Sequence, residues 1–343
     1  MKLYYEIISR RRNGVTITLC RFGLFVLSLF YGLGVCFRNF LYEKKIKKIY
    51  RFDVPVISVG NLTLGGTGKT PVVAYLAHYF SGQGKKPGII SRGYGKNSLG
   101  INDEFQELAL RCPNVPHIQN KDRIAAVKDI LHRNAPDVII LDDAFQHRRL
   151  ARSLNIVLLD AAAPFGYGSL FPRGTLREPV GGLRRADVVL LSRADLIDEK
   201  ERNTIKEKVF QTAPGIIWGE IIHKPEKLIH LDGKTAETES LRGKTALAFC
   251  GIGNPAAFRK TLEQCGVNVL EWTEFPDHHH YTAADLQRLE KKAEMLKPDT
   301  VLCTMKDLVK IEKTVLPICA VSIGIQFLNG EDVFLQTIGG RVN

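Results

Sequence analysis

The stretch SVGNLTLGGTGKTPVVAYLAHYF, Ser58 to Phe80, decides the fold. An apolar strand runs into GGTGKT, and a helical pattern runs out of it. Glycines let backbone N–H groups turn inward on phosphate oxygens, and the helix N-terminus adds favourable partial charge. A standard P-loop reads GxxxxGK[ST]. Counting back from Gly68-Lys69-Thr70, the first glycine position is held by Thr63. The cradle is therefore expected over Thr63, Leu64, Gly65, Gly66, Thr67 and Gly68, with Lys69 on the β and γ phosphates and the Thr70 hydroxyl on magnesium. Pro71 is tolerated because a first-turn N–H has no intrahelical partner. The competing reading is a plain strand-to-helix turn.

A second strand tests that reading. PDVIILDDAFQH, from Pro136, ends four apolar residues on Asp142 and Asp143. That is the Walker B arrangement, which places one of the two carboxylates near bound magnesium. Solvated turn aspartates are the alternative.

Outward from these motifs, apolar runs alternate with amphipathic segments. Strands are expected at 55–59, 87–91, 137–141, 155–159 and 187–192. Val72, Val73, Leu76, Tyr79 and Phe80 share one helical face, as do Ile124, Val127, Ile130 and Leu131. Short, doubly apolar strands between helices imply an α/β fold, a P-loop NTPase-like parallel sheet flanked by helices. Further strands at 245–250, 266–272, 299–304 and 317–323, with helices at 255–265 and 283–296, suggest a smaller α/β C-terminal domain. The expected division is 1–49, 50–215 and 216–343, with the polar stretch 223–244 as the junction.

The chain has 343 residues and a net charge of +12, which suits a polyanionic partner: nucleic acid, a membrane surface or a phosphorylated substrate. Seven scattered cysteines with no CxxC pair fit a reducing compartment and argue against a disulfide framework or zinc site. Val15 to Phe37 is a 23-residue apolar run whose only charge is Arg21, flanked by Arg10–Arg12 and by Arg38, Lys44, Lys45, Lys47 and Lys48. That length suffices to span a bilayer, and Arg21 could snorkel to the headgroups. Basic flanks on both sides favour a helix at an anionic membrane surface, whether spanning or interfacial. A buried core helix is the alternative. The same apolar helix disfavours a nucleic-acid partner, and nothing in the chain implies a protein partner.

The run GNLTLGGTGKTP, then SRGYG (91–95), NDE (102–104), LDDAFQH (141–147), PRGTLRE (172–178), CGIGNPAAF (250–258), DHH (277–279) and TMKD (304–307), resembles the tetraacyldisaccharide 4′-kinase family, the lipid A 4′-kinases. The resemblance covers nearly the whole chain and includes the displaced first glycine. It implies ATP- and magnesium-dependent phosphorylation of the 4′-hydroxyl of a lipid A disaccharide precursor at the cytoplasmic face of the inner membrane. It implies Asp103 as catalytic base, supported by His278, with two domains closing around substrate. It also implies that Glu178 shares in the magnesium or nucleotide site. The family often carries glycine before the aspartate-glutamate pair, where this chain has Asn102. From residue type alone, Asp103 is equally the start of a helix.

Arg173 and Arg177 suit ATP phosphates or the substrate's 1-phosphate, since guanidinium matches phosphate oxygens; Arg92 offers the same. Solvated loop salt bridges are the alternative for all three. Two further motifs are weak. LLSRAD (190–195) resembles the [NT]KxD guanine-recognition element, but Ser192 and Arg193 replace its key residues. GIGNPAAF lacks the third glycine of a dinucleotide fingerprint. DHHHY (277–281) cannot aim three consecutive histidines at one metal. The rival function is a membrane-associated P-loop NTPase switch acting through partner binding, which the degenerate SRAD disfavours.

Overall fold

The computed structural model describes residues 2–9, 14–93, 103–311 and 314–342. In chain order, helices α1 (Lys2–Ile8) and α2 (Val15–Glu43) precede β1 (Val56–Asn61), α3 (Lys69–Gly82) and β2 (Pro87–Ser91). Then come α4 (Asp103–Arg111), β3 (His117–Gln119), α5 (Arg123–Asn134), β4 (Val138–Asp142), β5 (Leu154–Asp160), β6 (Val188–Ser192) and α6 (Glu199–Thr212). The chain continues through β7 (Ile217–His230), β8 (Thr235–Glu237), β9 (Thr245–Cys250), α7 (Pro255–Gln264), β10 (Asn268–Glu274) and α8 (Ala283–Leu296). It ends with β11 (Thr300–Thr304), α9 (Met305–Leu308), β12 (Ile318–Asn329) and α10 (Glu331–Val342).

Two compact units result. The first comprises residues 1–92, 116–222 and 326–343; the second comprises 93–115 and 223–325. In the first, parallel strands run in the order β7-β6-β5-β1-β4-β2-β3. Every residue of β1, β2, β4 and β6 is buried, as befits a parallel sheet covered on both faces. Val59 pairs with Asp142, so the strand feeding the glycine loop lies beside the strand ending in the aspartates. Gly60 makes that approach possible: a Cβ there would sit 2.6 Å from Phe145 Cβ. The last helix belongs to this unit too, with Phe334, Ile338 and Val342 buried and Glu331 accepting from Tyr75 of α3 at 3.2 Å.

In the second unit, β10-β9-β11-β12 are parallel, and the end of β7 makes an antiparallel hairpin with β8. The stretch 223–244, read from its polarity as the junction, begins where the second unit begins and carries the end of β7 and all of β8. Helix α4, 103–111, also joins this unit, although the sequence division at 215 groups it with the P-loop. Arg111 ties it down by donating to the Ile323 carbonyl at 2.8 Å and pairing with Glu107 at 3.0 Å.

Among the described residues α2 is the one helix long and apolar enough to cross a membrane. Ser28, Gly32, Val35 and Tyr42 are its buried residues, while Phe22, Phe30, Leu33 and Phe37 are each more than 60% exposed. Arg21 donates to the Ile7 carbonyl of α1 at 2.9 Å.

Candidate nucleotide site and acceptor-side carboxylates

The glycine loop connects β1 to α3, as its pattern requires. Gly65 (φ 110°) and Gly68 (φ 82°) occupy backbone conformations that side chains with a Cβ resist. A Cβ at Gly65 or Gly66 would meet no atom within 4 Å, so the loop faces open space. A cavity of about 220 Å³ opens there, lined by residues 63–67 together with Asp160, Tyr167 and Thr175. Lys69 and Thr70 are the first two residues of α3, at its positive end.

Lys69 Nζ lies 3.6 Å from Asp143 Oδ1. Arg177 Nη1 donates to both oxygens of the same carboxylate, at 2.7 and 2.9 Å. Burial alone would push the Asp143 carboxyl up; Lys69 and Arg177 outweigh it and hold the group below the usual carboxylate range. Asp143 adopts a left-handed backbone (φ 47°), uncommon for a non-glycine residue. Arg123 stabilises that turn from beneath, donating to the carbonyls of Asp142 and Asp143 at 2.8 and 2.9 Å. It is among the largest fully buried side chains.

Magnesium prefers hard oxygen and takes one or two carboxylates plus phosphates rather than an all-protein cage. Thr70 with Asp142 and Asp143 matches that donor set, and no group of three or more His, Cys, Asp or Glu metal ligands occurs among the described residues. The buried Thr67 hydroxyl and both amide ends of buried Asn61 have no hydrogen-bond partner among the described residues, as expected beside a polar ligand. The residues fit a magnesium–triphosphate group.

Glu178 is fully buried with both oxygens engaged: Oε1 accepts from Gln146 at 3.0 Å, Oε2 from Arg185 at 2.5 Å and Asn39 at 3.5 Å. The structure thus gathers Lys69, Asp143 and Arg177, and ties Glu178 to Arg185, Gln146 and Asn39. Arg173 reaches the Ile8 carbonyl at 3.4 Å, and exposed Arg92 follows β2. Asn102 and residues 94–95 of the SRGYG motif lie outside the described residues.

The SRAD motif braces the glycine loop. Ser192 Oγ donates to the Thr67 carbonyl at 2.8 Å. Arg193 donates to the Gly66 carbonyl at 3.0 Å and pairs with Asp160. In the second unit Asp103 opens α4, and its carboxylate faces His278 Nδ1 at 3.9 Å and Lys310 Nζ at 3.6 Å. The three histidines diverge: His279 bonds Asp285 at 3.0 Å and stacks on Phe275, while His280 is exposed. GIGNPAAF is a capped helix start, with Asn254 accepting from Ala257 N and the Gly251 N–H donating to Asp307 at 3.1 Å.

Sequence reasoning missed Asn61, Arg123, Gln146, Arg185 and Lys310. Arg123 carried a faint signal, as a charge adjoining an apolar helical face. Asn61, Gln146 and Lys310 sit in or beside motifs and meet partners distant in the chain, whereas Arg185 lies outside the motifs and pairs with Glu178 seven residues before it.

A parallel sheet with a glycine loop at a helix start and an acidic neighbouring strand end defines a P-loop nucleotide-binding protein. The family model for tetraacyldisaccharide-1-P 4′-kinase, LpxK, matches residues 20–342. The chain belongs to that family. It is 40% identical to the tetraacyldisaccharide 4′-kinase of Syntrophus aciditrophicus over 87% of each chain. It is 37% identical to that of Chlorobaculum tepidum over 82% of this chain and 84% of the other. Among solved structures it is similar to LpxK from Aquifex aeolicus, crystallised in complex with ATP, with TM-score 0.76 and 31% identity over 94% of this chain and all of that one.

Proposed function

We propose that the protein transfers the γ-phosphoryl group of ATP to the 4′-hydroxyl of a tetraacyldisaccharide 1-phosphate. The single observation that carries this reading within the family is the Lys69–Asp143–Arg177 constellation at the mouth of the glycine loop. Loop amides and Lys69 hold the phosphates, and Arg177 is released from Asp143 to meet developing charge. Thr70 with Asp142 or Asp143 would hold magnesium, which when bound supplies charge neutralisation between the phosphates. Glu178 keeps the arginine-bearing loop in place through Arg185 and Gln146. Arg92 and Arg173 are assigned to the phosphorylated substrate.

In the transfer the acceptor O–H breaks, a new O–P bond forms, and the P–O bond to the departing ADP breaks. The proton goes to Asp103, with His278 as its partner. The apolar face of α2, followed by Lys44, Lys45, Lys47 and Lys48, supports residence at the anionic cytoplasmic face of the inner membrane, where the lipid acceptor is presented. Lys47 and Lys48 lie over the rings of Tyr42 and Tyr50, so their charges are held at the end of this helix.

Incubation with γ-labelled ATP, magnesium and tetraacyldisaccharide 1-phosphate in detergent tests the reading. Label is expected on the lipid. Hydrolysis of ATP that ignores the lipid would instead favour a P-loop switch.

A further inference from the structure

We propose that Lys310 is the positioning residue of the acceptor-activating carboxylate, a buried side chain that holds Asp103 in its aimed orientation. The inference rests on the reading of Asp103 as the base.

Lys310 follows α9, and only 5% of its side chain is exposed. A lysine so buried requires charged partners. Among the described residues these are Asp103 Oδ2 at 3.6 Å and Asp307 Oδ1 at 4.0 Å. Asp307 is fully buried and fixed from two strand ends. The Gly251 N–H, after β9, donates to it at 3.1 Å, and the Thr304 hydroxyl, at the end of β11, donates at 2.6 Å. The Lys310 backbone N–H donates to the Asp307 carbonyl at 3.0 Å, which fixes the stem as well. A rigid chain therefore runs from the sheet through Asp307 and Lys310 to Asp103.

The two neighbours of Asp103 have different characters. Lys310 is buried and lies near two carboxylates. His278 is 69% exposed and faces the same oxygen from the loop after β10. On α4 itself Glu104 is adjacent, and Glu107, one turn on, is already paired with Arg111. Lys310 approaches both Asp307 and Asp103, and through this pair of contacts it orients the Asp103 carboxylate. His278, open to solvent, is the group that passes the acquired proton onward. Two carboxylates share one ammonium, and Asp103 is the more exposed of them.

The test is steady-state kinetics of Lys310→Met, of Lys310→Arg and of the double variant Lys310→Met/Asp307→Asn, with kcat separated from KM for ATP and KM for the lipid. The double variant leaves no uncompensated buried charge, so it guards against a simple failure to fold. Loss of the positioning group should lower kcat about tenfold with little change in either KM. Lys310→Arg should restore most of the wild-type kcat. A double variant with normal Tm and wild-type kcat overturns the proposal, as does a loss of kcat that only follows a loss of Tm and comes with a rise in both KM values. Asp103→Asn is measured in parallel. If it keeps near-normal kcat, the base reading itself falls; if it is inactive while the double variant is normal, only the role of Lys310 falls.

Discussion

The ammonium of Lys69 stands 3.6 Å from the carboxylate of Asp143, joining the start of α3 to the turn after β4. With Arg177 on the same carboxylate, two cations at the mouth of the glycine loop are pre-assembled around one anion. On the proposed reading this cluster meets triphosphate already assembled, and such preorganisation is where electrostatic catalysis draws its strength.

Lys69→Ala should therefore lower phosphoryl transfer by at least about 10²-fold. The fold should persist, since one first-turn side chain is lost and β1 and α3 keep their core. Steady-state transfer and circular dichroism check both halves. A near-normal rate would remove Lys69 from the site.

Ser192→Ala removes the hydroxyl that donates to the Thr67 carbonyl inside the loop. A lost buried hydrogen bond costs about 1–3 kcal/mol. We expect KM for ATP to rise about five- to tenfold while KM for the lipid is unchanged. Equal effects on both constants would mean that Ser192 supports the fold and not the loop.

Helix α2 touches the loop that carries Arg177. The Tyr31 hydroxyl donates to the Arg177 carbonyl at 2.8 Å, and its ring meets Phe171 edge-on. Tyr31→Phe should reduce kcat several-fold, in line with about 1 kcal/mol for one hydrogen bond. Membrane association should be unaffected, as judged by vesicle sedimentation. Unchanged kcat would uncouple α2 from the catalytic loop.

Burial holds His117 down to about 4. Burial, with Arg123, Arg152 and Arg149 nearby, holds His147 down to about 4 as well. Their ordinary value is 6.5, so between pH 6.5 and about 4 the unfolded chain takes up protons that the native state refuses. Stability should fall as pH drops through that window, with no contribution from these groups above it. His117→Gln and His147→Gln should each flatten the dependence of Tm on pH. An unaltered slope in both would refute the assignment.

Local pattern made much of this protein legible. The strands at 56–61, 87–91, 138–142, 154–160 and 188–192 follow from apolar runs, and α8 begins and ends at Ala283 and Leu296 as its periodicity indicates. The sites around Lys69 and Asp142 were legible because strand, loop and helix are contiguous there. Strand β3, only three residues long, and the hairpin of β7 with β8 escaped, because short or polar strands carry no distinct period.

The sequence by itself determined the P-loop, the acidic strand end, the apolar N-terminal helix and, through its motifs, the family, since each of these is written in neighbouring residues. Tertiary structure alone decided that Arg177 grips Asp143, that Ser192 and Arg193 brace the loop they seemed to have no part in, and that Lys310 meets Asp103 across 207 positions. Those pairings depend on which strand ends and helix starts the sheet order brings side by side. Spacing along the chain reports local dihedral preference and periodicity, but carries no record of such long-range adjacency.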